Sequence, residues 1–194
     1  MTATRTASTR YHHGDLRRVL LEAAVSEIRD RGAAALNLRE LARTVGVSHA
    51  APRHHFGDKG GLLTAVAAEG FQQLGEDLRS TWESTGSFLE LGVAYVRFAL
   101  THPAHFEVMF RPDLLHPADA ALNEARARTS ELLYGRVGTV ADAAAGGDQR
   151  LPAIAAWALV HGLATLWLAG NLPTDLLDDP EALTRDVARH LFRG

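Results

Sequence analysis

From Leu151 to Thr174 the chain carries no Asp, Glu, Lys or Arg. A charge-free stretch of that length must be covered, either by lipid or by other protein. Leu151–Gly170 is long enough to cross a bilayer as a helix. It also holds His161, Thr165 and many weakly apolar Ala, and an amphipathic helix follows it. That helix opens at Asp179-Pro180-Glu181: an N-cap, a proline at the first helical position and an acid near the positive end of the helix dipole. A tail of this kind does not suit a membrane anchor. The stretch is therefore expected to be a helix buried all round in protein, with no membrane partner. Ala158 and Gly162, four residues apart, let the backbone of another helix come close.

The remaining pattern is helical throughout, with no alternating β-branched run and no Asn-Gly hairpin turn. The spacing predicts an all-α chain of about nine helices. The first runs from about Asp15 to Arg31, with Leu16, Leu20, Ala23, Ala24 and Ile28 recurring at steps of three and four and Gly32 as its stop. The second, Leu38 to Val45, has Asn37 as a cap and Glu40 three residues on, an approximate capping box. Gly46 breaks it. Ser48 can cap a third helix reaching about Phe56. A fourth begins near Asp58 or Lys59 and passes Leu78. A fifth spans about Ser87–Leu100. A short sixth holds Phe106, Met109 and Phe110. A seventh covers about Ala118–Ala145 and ends at Gly146-Gly147. The ninth, after the charge-free eighth, carries Leu183, Val187 and Leu191 as its stripe.

The net charge of −3 conceals a partition. Residues 1–60 hold ten Arg and Lys against six Asp and Glu, a balance of +4, and residues 61–194 hold ten against seventeen, a balance of −7. The absence of cysteine excludes disulfides, thiolate zinc sites, iron–sulfur clusters and a cysteine nucleophile, and suits a reducing cytoplasm. The N-terminal residues show no apolar core of a secretory signal.

Two short helices joined by a Gly turn make a helix-turn-helix candidate in the basic third of the chain. Its second helix presents Ser48, His49, Arg53 and His54, polar groups able to reach base edges or phosphates. Arg53 can fork onto guanine O6 and N7 or meet a phosphate. His54 and His55 suit phosphate or sugar; His55 can instead pack beside Phe56. Arg5 and Arg10 in the N-terminal arm can enter a minor groove or stay solvated. Arg17, Arg39 and Arg43 read as helix-surface charges, one of which can touch the DNA backbone.

The run LRELARTVGVSHAAPRHHFGDKGGLL, starting at Leu38, resembles the helix-turn-helix and following helix of the TetR family of transcriptional regulators. Ala42 and Gly46 match the turn, Val47-Ser48 the opening of the recognition helix, Phe56 its close, and Lys59 the lysine that contacts phosphate in that family. YHHGDLRRVLLEAA resembles the family's arm and first helix. Further on, AAWALVHGLATLW, with Trp157, His161 and Gly162, and THPAHFEVMFRP resemble the subgroup with a WHG-type effector domain. Two positions depart from the family. Arg53 stands where an aromatic is usual, and Pro52 where Leu is usual. If the helix starts at Ser48, Pro52 removes a backbone bond; otherwise the helix starts later.

The resemblance implies a flexible arm over 1–14, a helix-turn-helix DNA-binding domain over 15–60 and an effector-binding and dimerisation domain over 61–194. It implies a cytoplasmic, ligand-responsive homodimer, a repressor released from a palindromic operator on double-stranded DNA by a small hydrophobic effector of unknown identity. Ala158 and Gly162 of the eighth helix, with Leu183, Val187 and Leu191 of the ninth, would form the dimer interface. Phe98, Phe106, Met109, Phe110, Trp157 and His161 are pocket candidates, as are Phe71, Trp82, Phe88, Tyr95 and Trp167; aromatics at helical spacing equally serve as core.

His102 and His105 sit three apart, but Pro103 lies between them and no carboxylate pattern supports a metal. The chain holds no phosphate loop, dinucleotide fingerprint or nucleophile elbow, so no enzyme and no cofactor is expected. The alternative function is a helical small-molecule carrier or enzyme whose first helices only mimic a DNA-binding head.

Overall fold

The computed structural model describes residues 13–134 and 150–192. The described residues are all helical, with no strand: α1 (His13–Arg31), α2 (Leu38–Val45), α3 (Ala51–Phe56), α4 (Lys59–Thr85), α5 (Phe88–Thr101), α6 (Pro103–Met109), α7 (Ala120–Tyr134), α8 (Arg150–Leu168) and α9 (Pro180–Phe192). Single 3₁₀ turns stand at Pro112–Leu114 and Thr174–Leu176. The N-terminal arm, with Arg5 and Arg10, and the expected extension of the seventh helix beyond Tyr134 lie outside the described residues.

At about 1.5 Å per residue, the 27 residues of α4 make a rod of about 40 Å. Its start is set by Asp58, whose Oδ1 accepts the Gly61 N–H at 2.8 Å. Leu62, Leu63, Val66, Ala67, Phe71, Leu74 and Leu78 recur at three- and four-residue steps and are all buried. One hydrophobic cluster takes them in together with Leu20, Ala24, Ile28, Leu41 and Phe56 of α1–α3 and with Tyr95, Phe98, Val108 and Met109 of α5 and α6. The N-terminal helices and the body therefore share a core through α4.

α2 begins as its sequence demands. Asn37 Oδ1 accepts the N–H groups of Arg39 and Glu40 at 2.9 and 3.4 Å. The Glu40 carboxylate does not close the box; it sits 3.4 Å from Arg31. Of the two alternatives left open by Pro52, α3 takes the later start, at Ala51; Ala50 and not Ser48 occupies the N-cap, without a side-chain bond. The Ser48 carbonyl instead accepts the Ala51 N–H at 3.0 Å. The later start places Pro52 in the first turn, where a missing N–H forfeits no intrahelical bond.

Within one chain α8 is not buried all round. Ala153, Val160, Leu163 and Ala164 are buried, but Leu151, Ile154 and Leu166 are 64%, 48% and 45% exposed. The segment Leu151–Leu168 has the length and mean hydropathy, 1.6, of a membrane span, with 22% of its residues buried. Residues 151, 154, 155, 158 and 162 fall on one side at helical spacing, an apolar stripe with Ala158 exposed on it and Thr165 at its end. Periodicity marks no inner side here because the helix is apolar on every side while this chain supplies neighbours for only one.

His105 is 6% exposed, and both its imidazole nitrogens are buried with no partner among the described residues. Burial first, and the neighbouring His102 second, push its pKa down to about 4 from the ordinary 6.5. The unfolded chain thus takes up a proton at this residue as pH falls through 6.5, before the folded chain does. Stability is expected to fall between about pH 6.5 and pH 4, and the contribution of His105 to level off below that. His105→Leu should remove on the order of 1–3 kcal/mol of this dependence and leave the protein no less stable at pH 7, as read from urea midpoints across pH. An unchanged pH profile would contradict the assignment.

Candidate functional site

The α2–α3 pair owes its angle to Gly46, which has φ of +75°. Its N–H bonds to Arg43 C=O at 3.1 Å and the Val47 N–H to Ala42 C=O at 2.9 Å, a left-handed helix stop that an L side chain strains. α3 is held from below by buried Pro52 and Phe56. The Arg17 guanidinium lies 5.1 Å from the Phe56 ring centroid, so this arginine is more than a surface charge. Ser48, His49, Arg53 and His54 are exposed together on the outer side, while His55 is half-buried between His54 and Phe56, with ring centroids at 5.2 and 6.3 Å.

The arginines divide by partner. Arg79, Arg97, Arg111, Arg128, Arg185 and Arg189 of the body each pair with a carboxylate, and Arg126 lies over Phe71. On α1, Arg18, Arg29 and Arg31 are paired as well. Arg39, Arg43 and Arg53 are exposed and meet no carboxylate or other hydrogen-bond partner among the described residues. All three lie on the α2–α3 pair. Uncompensated guanidinium groups gathered there make a surface ready for an anionic partner.

The turn between α1 and α2 is gripped from two sides. Glu107 of α6 accepts the Ala33 N–H at 2.8 Å, and Lys59 at the head of α4 donates to the Ala34 carbonyl at 2.8 Å. His116 adds a further tie: its N–H donates to Thr64 Oγ1 at 2.8 Å, and its ring Nε2 lies 3.1 Å from Asp58 Oδ1. None of these polar ties was read from the sequence, because their partners stand 25 to 74 residues apart.

Within the body, Trp157 Nε1 donates to Tyr95 Oη at 3.2 Å, and Tyr95 Oη lies 2.8 Å from His161 Nδ1. Burial lowers the His161 pKa, which favours the neutral ring. A Tyr95 O–H donated to Nδ1 then satisfies both groups. The His161 ring also lies against Phe106 of α6 and Phe110 just past its end, at centroid distances of 5.2 and 4.7 Å.

A cavity of about 730 Å³ opens between the first turn of α5, one side of α8 and the last turns of α9. Phe88, Tyr95, Trp157, Val160, Thr184 and Arg189 are among its walls. Of the residues singled out from the sequence, Phe88, Tyr95 and Trp157 line it. Phe98, Phe106 and Met109 are buried in the core, and Phe110 and His161 lie beside the Trp157 ring. Ala158 and Gly162 face away from the cavity on the open side of α8, and a Cβ on Gly162 would meet nothing within 4 Å. Leu183 and Val187 are half-buried on α9; the side chain of Leu191 lies outside the described residues. The cavity-lining Arg189 had no signal in the sequence beyond its place in an amphipathic helix.

Residues 20–66 match the family model for bacterial regulatory proteins of the tetR family, and residues 88–191 match the model for the tetracyclin repressor-like C-terminal domain. The HTH-type transcriptional regulator BetI of Rhizobium meliloti (strain 1021) is 32% identical over 105 residues, 54% of this chain and 47% of that protein. The chain thus matches under half the length of that curated relative. A protein of unknown function from Rhodococcus sp. RHA1 superposes with a TM-score of 0.79 at 37% identity, covering 96% of this chain and 98% of the other. The TetR family transcriptional regulator PfmR from Thermus thermophilus superposes with a TM-score of 0.69 at 21% identity, covering 90% and 97%.

Gly61 tests the seating of α3 on α4. A Cβ there would stand 1.9 Å from the Phe56 carbonyl oxygen, a backbone atom that cannot step aside. Gly61→Ala should therefore separate α3 from α4 and cost more than the roughly 1–2 kcal/mol expected of Gly46→Ala, where only φ is strained. Denaturant unfolding of both variants checks the order; equal losses would mean that the α3–α4 junction yields freely.

Proposed function

Because the chain belongs to the TetR family of bacterial regulatory proteins, we propose that it is a dimeric transcriptional repressor that leaves a near-palindromic operator when a small hydrophobic effector enters its body. The observation that carries this reading is the set of three uncompensated guanidinium groups on α2 and α3, where Arg79, Arg97, Arg111, Arg128, Arg185 and Arg189 of the body are each paired. Two α3 helices of a dimer would enter successive major grooves, roughly 34–36 Å apart. Arg53 supplies the base contact, with Ser48, His49, His54 and His55 on the surrounding edges and phosphates. Lys59 spends one of its three N–H donors on Ala34 and keeps the others for a phosphate. Arg10 of the arm reaches the adjacent minor groove.

The division at about residue 60 then separates a reading head from a regulatory body of the WHG type, after Trp157, His161 and Gly162. Support for the dimer comes from the open side of α8, a mostly apolar stripe that a second copy would cover; Leu183, Val187 and Leu191 of α9 complete the proposed interface. The effector acts by binding one arrangement of the body more tightly than the other, and releases DNA only to that extent. From Trp157 and Tyr95, contacts run through His161 to Phe106 and Phe110, and α6 also carries Glu107, which holds Ala33 of the head.

Gel-shift titration of operator variants at several salt concentrations checks the DNA surface. Arg53→Ala is expected to cost about 1–3 kcal/mol and to relax preference at one base pair. Lys59→Ala should weaken every sequence alike and flatten the salt slope by about one. A Lys59 effect confined to one base pair would overturn the phosphate role, and binding by neither variant nor wild type to any fragment would overturn the regulator.

For the dimer, Ala158→Arg places a charge in the middle of the exposed stripe without touching the core. Sedimentation should show monomers and operator affinity should collapse. A fully dimeric Ala158→Arg protein would remove α8 from the interface.

A further inference from the structure

We propose that the cavity between α5, α8 and α9 binds an apolar carboxylate, a chain or ring system with one acidic group paired to Arg189. The inference rests on the regulator reading only in calling that molecule the effector. The volume, about 730 Å³, falls in the range of sites that enclose a small organic ligand.

The side-chain oxygens of its wall are each already in a hydrogen bond within the chain. Ser87 Oγ accepts the Glu90 N–H at 3.4 Å, Thr184 Oγ1 donates to the Pro180 carbonyl at 2.7 Å, and Tyr95 Oη is held by Trp157 and His161. A ligand with several neutral polar groups would bury them without partners, at a loss of affinity. Side chains such as Phe88, Leu91, Leu133, Ala156, Trp157 and Val160 reward an apolar body instead.

Arg189 is the charged member of the lining, and its ion pair to Asp186 is long, 3.4 Å. Nearby Arg185, by contrast, is locked onto Glu90 through two bonds of 2.9 and 2.8 Å and reaches Glu181 at 3.2 Å. That pairing, with Arg97 on Glu181 at 3.1 Å, shows that α9 runs antiparallel to α5. The register therefore brings Arg189 to the first turn of α5, where the helix dipole also favours an anion. A carboxylate can take both prongs of a guanidinium fork, and the exposed Asp186 is easily surrendered to solvent.

The test is calorimetric titration of the full chain with three probes of one chain length, sodium decanoate, 1-decanol and decylamine, for wild type, Arg189→Gln and Ala156→Phe. Decanoate should bind about 10-fold more tightly than decanol, and decylamine most weakly. Arg189→Gln should erase the preference for decanoate and leave decanol binding as it was. Ala156→Phe, which fills the cavity, should lose about 10-fold for decanoate and decanol alike, with circular dichroism reporting that the fold is kept. Equal binding of decanoate and decanol to wild type, or tightest binding of decylamine, overturns the acidic class; absence of binding by all three overturns the site. A gel shift on the same samples separates the two readings. Decanoate binding by a protein that ignores DNA would sink the regulator and keep the ligand site; DNA binding with no probe bound would do the reverse.

Discussion

Leu62, Leu63, Val66, Ala67, Phe71, Leu74 and Leu78 line one face of α4, each no more than 5% exposed. Their burial is shared between two sets of helices, with α1–α3 covering the beginning of the rod and α5–α7 the rest. An α-helix cannot bend sharply without opening its own hydrogen bonds, so the orientation of α3 follows from how the body grips α4. Magnitudes divide the labour. Each buried leucine or phenylalanine contributes about 1.5–3 kcal/mol, whereas a hydrogen bond such as Glu107 to Ala33 is worth about 1 kcal/mol net. The apolar face keeps the protein folded, and each polar tie at Glu107, Lys59 and His116 is weak enough to be broken without unfolding it.

What was legible beforehand was local chemistry. Asn37, Gly46, Asp58 and Asp179 mark helix ends through their own backbone or side-chain geometry, and each stands at the end it marks. Ser48 and Pro52 pointed to two different starts for α3, and the structure follows Pro52, which belongs in a first turn. Resemblance carried the fold and the family where the periodicity alone left two functions open. The ties across elements were illegible, since a glutamate on α6 and a lysine on α4 look like surface charges until the fold brings Ala33 and Ala34 beneath them.

α8 shows a different limit. Composition states that its whole circumference avoids charge; it cannot state what covers each side. The structure assigns Trp157 and Val160 to a cavity wall and leaves Ile154 and Ala158 open on the other flank. A ligand and a second protein chain would thus press on the same short rod from opposite directions. The aromatic residues named from the sequence were divided as well: Phe98 and Phe106 went into the core, and Phe88, Tyr95 and Trp157 to the cavity wall.

The segregation of arginines bears on how the molecule travels. Three bare guanidinium groups at one end, and an acidic body in which Arg79, Arg97, Arg111, Arg128, Arg185 and Arg189 are already paired, amount to an electric dipole fixed in the protein frame. In the field of a polyanion such an object feels a torque as well as a pull. At physiological ionic strength that torque acts only within about 8 Å of the surface, so most collisions would begin in arbitrary orientations and be turned in the last moments of approach. The acidic body, repelled at close range, would keep wrongly presented encounters brief. Time on DNA would then be concentrated in the one pose in which α3 can sample a groove.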